Sequence, residues 1–504
     1  MKKLFLLFIG VLSMPTITAQ NLNDAVRYSD GEIQGSARFR ALSGAFGALG
    51  GDLSAITINP AGSAVFLKSY AAITLGNTNT KNETSYFNGR NSSSNSNFNI
   101  QQAGGVFVFQ NNSGSPWKTI SLAVAYENTK NYEDDWMSNG INTRSIDSYF
   151  LNNAQGLRLD EISALPGEST SDAYSEIGSA YGYQNQQAFL GYDSFILEPN
   201  TNDDDNTGYT SNIAGGTFNQ EYSYAATGYN GKVAFNLGTQ YGENVYLGLN
   251  LNSHFLNYER STFLYEQNNN AGSIVNQVGF ENNMSVTGSG FSFQLGSIFK
   301  LTEEFRVGLS YNSPKWMSIE EQTTQYLETV RDEAGSNVLK VIDPRILNVF
   351  EEYKLQTPGK ITGSLAYVFG TKGLISFDYS RKDYANTKFK PTSDSYFRAQ
   401  NAIIENQLTA ASTYRVGGEY KLNRFSLRGG YRFEDSPYAN GETVGDLNGY
   451  SIGLGYNFGN LNLDLTFDQS QQDNNYQLYN SGLVDSAAID AVQSNVTLTL
   501  GFQL

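Results

Sequence analysis

From about Ser69 to the C-terminus the chain repeatedly alternates apolar and polar residues. The final segment is the clearest case: Val496, Leu498, Leu500, Phe502 and Leu504 interleave with Asn495, Thr497, Thr499, Gly501 and Gln503. A period of two places one set on each face of a β-strand. The same pattern, cut by turn residues, predicts strands near 69–80, 97–110, 118–130, 219–240, 244–266, 284–300 and 305–318. It predicts further strands near 353–370, 374–384, 409–422, 424–434, 449–459, 461–470 and 494–504. Short connections such as 111–117, 241–242, 301–304, 371–373, 423 and 460 alternate with long polar ones, the asymmetry expected of periplasmic turns and external loops. The expected fold is all-β: a transmembrane antiparallel β-barrel of about 14 strands, with an N-terminal hatch inside the lumen and both chain ends on the periplasmic side.

Parity assigns the faces. Ile120, Leu122 and Val124, Val245 to Leu251 in steps of two, and Phe291, Phe293 and Leu295 form outward sets, as do Phe425, Leu427 and Tyr431, Ile452, Leu454 and Tyr456, and Leu461, Leu463, Leu465 and Phe467. The opposite parity is lumenal and carries Asp378, Arg415, Glu419, Lys421, Arg428, Arg432, Asp464 and Asp468. Two readings follow. These charges satisfy one another in a structural network, or Arg415, Arg428 and Arg432 meet the carboxylate of an anionic ligand. Arg428 and Arg432 are about 13 Å apart on one strand, too far to grip one headgroup together.

The N-terminus sets the compartment. Lys2 and Lys3 precede the apolar run 4–12, and Thr16-Ile17-Thr18-Ala19 offers a cleavage site, so residues 1–19 read as a secretory signal peptide. Mean hydropathy is −0.39, which suits a barrel because only the lipid-facing half of each strand must be apolar. The 33 Tyr and 31 Phe supply aromatic girdles. A formal charge of −16 argues against nucleic acid; it reflects acidic outer loops such as Asp203-Asp204-Asp205, or a surface that binds divalent cations. Zero cysteines exclude disulfides and thiolate metal sites.

Two regions depart from the repeat. Residues 20–66 are rich in small residues, with Gly44, Gly47, Gly50 and Gly51, and lack the Gly-Lys-Ser/Thr of a phosphate loop. Such density suits backbone packed against backbone inside a lumen; the alternative is a periplasmic tail. The barrel proper then occupies 67–504, with a long external loop at 131–218. A loop of that length is seldom without structure. Short helices are expected at 157–164 and 171–180, and another at 394–408. The loop is either an ordered cap without ligand or a cap whose Tyr149, Phe150, Leu151, Phe189, Leu190 and Phe195 form an apolar groove.

The stretch from Gly44 to Gly62, ending Asn59-Pro60-Ala61-Gly62, resembles the hatch of the long-chain fatty acid and hydrocarbon transporter family (FadL/TodX-type). The strand count, the large loop after the third strand, and the run from Leu355 to Phe369 followed by Ile375 to Tyr379 are similar as well. Asn59, Pro60 and Ala61 match the family's motif; no ligand-contact residue carries over. The resemblance implies a hatch-closed barrel in the outer membrane of a Gram-negative bacterium, passing hydrophobic molecules such as fatty acids or hydrocarbons without an energy source. It also implies a sideways exit near the third strand. The expected partners are fatty-acid-like small molecules and outer-membrane lipid, with no nucleic acid, no cofactor, no metal, and a monomeric state. The alternative is a docking or accessory barrel for secreted proteins. An enzyme is not expected. His254 is the sole histidine, so serine–histidine chemistry would have to rest on that inward-facing residue, which otherwise serves as a lumen hydrogen-bonder.

Overall fold

The computed structural model describes residues 22–504; the expected signal peptide at 1–19 lies outside them. Fourteen antiparallel strands close into one barrel. The first seven are β1 (Tyr70–Tyr86), β2 (Gly89–Gln110), β3 (Trp117–Asn131, resuming at Asp134–Asn142), β4 (Phe218–Tyr241), β5 (Val245–Gln267), β6 (Val275–Lys300) and β7 (Phe305–Asn312, resuming at Trp316–Glu333). The rest are β8 (Tyr353–Gln356 and Lys360–Val368), β9 (Gly373–Asp383 and Lys388–Lys390), β10 (Ala410–Leu422), β11 (Phe425–Glu434), β12 (Val444–Asn457), β13 (Leu461–Gln477) and β14 (Ser486–Gln503). Strand β14 returns to β1 in unbroken register from Tyr70↔Gln503 to Ser85↔Ala488. Every strand expected from alternation is present. The extension of β1 and β2 to a tip at Phe87 and Asn88 was not legible, because Thr, Asn and Ser there alternate only with one another.

Outward residues face the bilayer as parity requires: Leu122, Leu251, Leu295, Ile452 and Leu498 are between 41 and 60 % exposed. The inward set is polar and nonetheless buried, including Asn250, Ser364, Thr466, Thr497 and Thr499. These residues are covered by the N-terminal segment, which lies inside the lumen as α1 (Leu22–Ser29), α2 (Ala37–Ala41), α3 (Ala55–Ile58) and a 3-10 turn at Pro60–Val65. The segment comes this close to the wall because the wall has glycine where they meet. A Cβ on Gly308 would stand 2.2 Å from the Gly47 carbonyl oxygen, one on Gly248 2.2 Å from the Pro60 carbonyl carbon, and one on Gly417 2.6 Å from the Leu42 backbone.

The 143–217 connection folds over the barrel mouth as α4 (Asp147–Ala154), α5 (Thr170–Tyr181) and α6 (Tyr183–Asp193). The helix expected at 171–180 is α5. The one expected at 157–164 is only a 3-10 turn at Leu159–Glu161, and α4 and α6 were not foreseen. In α6 the apolar residues Ala188, Phe189 and Leu190 are contiguous rather than spaced as a stripe. Its buried Gln187 instead donates to Gln325 of β7 at 2.8 Å. Helix α7 (Ser395–Gln407) stands where the sequence placed it, its N-cap Asp394 accepting from the Phe397 amide at 2.9 Å.

Gly308→Val is expected to keep the barrel but unseat the N-terminal segment, since the clash is with backbone. Heat-modifiable electrophoretic mobility should stay normal while ion conductance in planar bilayers rises. Unchanged conductance would show that the close approach at Gly308 does not seal the lumen.

Candidate functional site

Three carboxylates of the wall fasten the hatch. Arg38 donates through Nε to Glu419 at 2.9 Å, and Glu419 also accepts from Arg428 Nε at 2.7 Å. Arg40 makes a two-pronged pair with Asp468, both contacts at 2.8 Å. Asp378 accepts the amides of Phe46 and Gly47 at 3.0 and 2.9 Å. Gly44, Gly50 and Gly51 have positive φ, and a Cβ on Gly47 would stand 2.0 Å from Ser364 Oγ. Each expected hatch glycine thus has a steric reason to be glycine.

The Asn59-Pro60-Ala61 turn is anchored rather than free at the strand junction. Asn59 Nδ2 donates to Gly47 O at 2.7 Å and Ser297 O at 2.9 Å, while its Oδ1 caps the Ala61 amide at 3.2 Å. Helix α3 leaves carbonyls without intrahelical partners. Asn250 Nδ2 donates to Ile56 O at 2.7 Å, Gln294 Nε2 to Thr57 O at 3.0 Å, and Asn236 Nδ2 to Pro60 O at 2.9 Å.

Above the hatch lies a cavity of about 1390 Å³ that runs from its upper surface to the cap. The upper wall is aromatic, with Trp136, Tyr222, Tyr224, Tyr476 and Tyr479. The lower wall is charged, with Lys130 paired to Asp30 and Lys232 to Glu127. Lys360 of β8 and Lys382 of β9 are directly opposite one another in register, and both line the cavity with Lys315. Among the described residues none of these three lysines has a carboxylate within ion-pair distance; Lys315 Nζ reaches only the Tyr28 carbonyl, at 3.4 Å, and Lys382 that of Ser29. Facing like charges in a sheet are unfavourable. Inward parity on β8 and β9 marks both positions, but the lumenal charges singled out from the sequence include Lys421 as their one lysine.

The structure separates the residues singled out from sequence. Arg415 and Arg432 line the cavity, opposite one another, and share Glu434 at 3.7 and 3.6 Å. Arg428 is placed elsewhere: Glu419 and Asp464 hold it at the hatch, in the structural network that formed the first reading of the lumen charges. Tyr149 lines the cavity. Phe150, Phe189 and Leu190 are completely buried in the cap's own core, where Phe150 packs on Phe280 at 5.3 Å, so they do not form an external groove. Leu151 packs at the edge of that core. Phe195 is 39 % exposed, beneath the Arg331 guanidinium at 3.7 Å. His254 bonds Ser292 Oγ at 2.7 Å.

The wall is incomplete beside the cavity. Backbone pairing of β2 with β3 stops at Gln102↔Glu127. Beyond it β3 bulges at Thr129 and breaks at Tyr132 and Glu133, and the Thr129 carbonyl accepts the Glu32 amide of the hatch segment at 3.0 Å. Asn131 Nδ2 reaches across to Asn97 Oδ1 at 3.4 Å.

A closed outer-membrane barrel, plugged from its N-terminus and hollow above the plug, is the architecture of a transport channel. The model of the outer membrane protein transport family (OMPP1/FadL/TodX) matches residues 194–503, and the chain belongs to that family. It is an outer-membrane protein. Its fold is similar to that of a Pseudomonas aeruginosa FadL homologue, with TM-score 0.55 and 11 % identity over 94 % of this chain and 99 % of that one. It is similar also to the P. putida toluene transporter TodX, with TM-score 0.53 and 12 % identity over 94 % and 99 % of the two chains. No curated protein sequence matches the chain.

Two expectations follow. Glu419→Gln breaks a buried pair, which costs roughly 3–5 kcal/mol; hydrogen exchange of the α2 amides should accelerate, and unchanged protection would show that Glu419 does not hold the hatch. The second concerns the cap. Glu266, in the extracellular part of β5, accepts from Ser145 Oγ, from the Ile146 amide at 2.9 Å and from Gln220 at 2.7 Å. Burial pushes its carboxyl from 4.5 up to about 7. The folded state then binds more protons than the unfolded one between these values, so the group's stabilising contribution is fully present below about 4.5 and lost as pH rises through 7. Exchange at α4 should quicken over that window, and Glu266→Gln should flatten the profile.

Proposed function

We propose that this chain passively carries hydrophobic molecules across the outer membrane, and that its preferred cargo is a fatty-acid-like amphiphile with a carboxylate head. The observation that carries this reading is the asymmetric cavity: aromatic walls above, and below them Lys315, Lys360 and Lys382 with no carboxylate partner among the described residues. A carboxylate placed between Lys360 and Lys382 relieves their mutual repulsion, and the tail lies upward along the aromatic wall. Burying about ten methylenes contributes roughly 8 kcal/mol before ordering costs. An uncharged hydrocarbon would use the same wall without the lysines. Outer-membrane lipid surrounds the barrel, and we read the chain as a monomer that needs neither cofactor nor catalytic group. Neither the FadL homologue nor the toluene transporter that the fold resembles is described as a docking barrel for secreted proteins.

The unpaired stretch between β2 and β3 supports a sideways exit into the bilayer, with the hatch staying in place. Neither hatch withdrawal nor an energy source is then needed.

Uptake into proteoliposomes tests both points. Lys360→Gln with Lys382→Gln should lower uptake of a long-chain fatty acid about tenfold or more, since a hydrogen bond to a charged group is worth about 1.5–3 kcal/mol, and spare the matching alcohol. Equal loss of both would sink the headgroup reading. The chain has no cysteine, so cysteines at Asn97 and Asn131 can be oxidised cleanly. Uptake should fall on cross-linking and return with dithiothreitol; uptake indifferent to the cross-link would rule out this exit.

A further inference from the structure

Arg260 has no role in the scheme above. It lines the upper half of the cavity, on β5, with Ala226 and Met284 as register neighbours. Among the described residues no carboxylate pairs with it, and its buried Nε makes no hydrogen bond. Tyr258, two residues away on the same strand face, lines the same cavity, as do Tyr224, Tyr476 and Arg27. Arg27 is already paired with Asp24. Neutral phenols do not neutralise a guanidinium, and a charge held in a lumen without a counter-charge is costly unless something else supplies one.

The surrounding rings define what that something is. Trp136 stacks on Tyr224, centroids 5.1 Å apart and 9° from parallel, and meets Tyr476 edge-on at 5.0 Å. The Tyr224 and Tyr258 hydroxyls are 3.0 Å apart, which ties two of these rings into one rigid unit. The ladder continues upward through Tyr222 and Tyr479, at 6.3 Å, to Phe280 beneath the cap, at 6.0 Å from Tyr479. Aromatic faces and edges select flat rings over flexible saturated chains, and a guanidinium pairs with a carboxylate in a two-pronged, planar geometry. On β6, Met284, opposite Arg260, is seven residues from Phe291, opposite Trp316 and next to Lys315, about 23 Å at standard rise, so the two backbone positions are well apart.

We propose that Arg260, with Tyr224 and Tyr476, forms a second binding station whose ligand is an aromatic carboxylate, the acid on Arg260 and the ring against the cavity-facing parts of Tyr224 and Tyr476, beside the buried Trp136. The proposal rests on the reading of the cavity as a ligand path. It adds a class of cargo that the lysine floor does not select.

Equilibrium dialysis of protein in nanodiscs against 2-naphthoate, 2-naphthalenemethanol and decanoate tests it. Arg260→Gln should weaken 2-naphthoate at least tenfold and leave 2-naphthalenemethanol within twofold, whereas Lys372→Gln, in an exposed periplasmic turn, should leave 2-naphthoate unchanged. A second measurement uses the wild-type chain. Trp117 and Trp316 face outward, so quenching by 6-bromo-2-naphthoate that Trp136→Phe abolishes locates the ring at this station. An Arg260→Gln protein that still binds 2-naphthoate at wild-type strength overturns the proposal, as does quenching that survives Trp136→Phe. Loss of decanoate binding in Lys360→Gln, or its persistence, bears on the lysine floor alone, so the two readings fail separately.

Discussion

Every backbone N–H and C=O that faces hydrocarbon must find a partner within the protein, and the register between β1 and β14 meets that demand. Sixteen successive residue pairs, Tyr70↔Gln503 to Ser85↔Ala488, join the ends of the sheet. Once the sheet is closed it has an inside, and the two-residue period sends half of all strand side chains there. The other features follow from this. The lumen must be filled or wetted, its charges must find partners, and any opening in the wall must be protected where the ladder stops.

Filling is done by the chain's own N-terminal segment, and its seating depends on absence of side chains as much as on their presence. Gly248, Gly308 and Gly417 let backbone meet backbone, and Asn236, Asn250 and Gln294 supply the donors that the segment's short helix cannot find within itself. The ion pairs of Arg38 and Arg40 then fix orientation. Buried pairs of this kind are weak sources of net stability but costly to break, so they hold one seated position against alternatives rather than adding much to the barrel's stability.

The contrast between paired and unpaired charge separates hatch from cavity. Arg38, Arg40 and Arg428 all end on carboxylates. A few residues higher, Lys315, Lys360 and Lys382 do not, and Arg260 sits among phenols. One lumen thus contains a hatch whose arginines are paired and a chamber in which Lys315, Lys360 and Lys382 have no carboxylate within ion-pair distance among the described residues, beside pairs such as Lys130 with Asp30 and Lys232 with Glu127. The break in β3 lies at the level of that chamber, where the hatch segment, not β2, takes the Thr129 carbonyl.

Alternation alone determined the fourteen strands, their facing and the short periplasmic turns, and it placed Asp378, Arg415, Glu419, Arg428, Arg432, Asp464 and Asp468 in the lumen, because a period of two is a local property of the chain. Small-residue density left a lumen segment and a periplasmic tail both open, and Asn59-Pro60-Ala61 pointed to a hatch through its resemblance to the transporter family. Which charge meets which was not legible: Arg428 and Arg432 share one strand and one face, yet Arg428 ends on Glu419 of β10 and Asp464 of β13 in the hatch network, while Arg432 shares Glu434 of its own strand with Arg415 in the cavity. The same holds for Phe189 and Leu190. Their apolar character was plain, but only the tertiary structure decided that they close the cap's own core against Phe280 and Leu327 rather than line a groove. Burial of an apolar side chain depends on what the fold brings opposite it, and sequence spacing does not contain that distance.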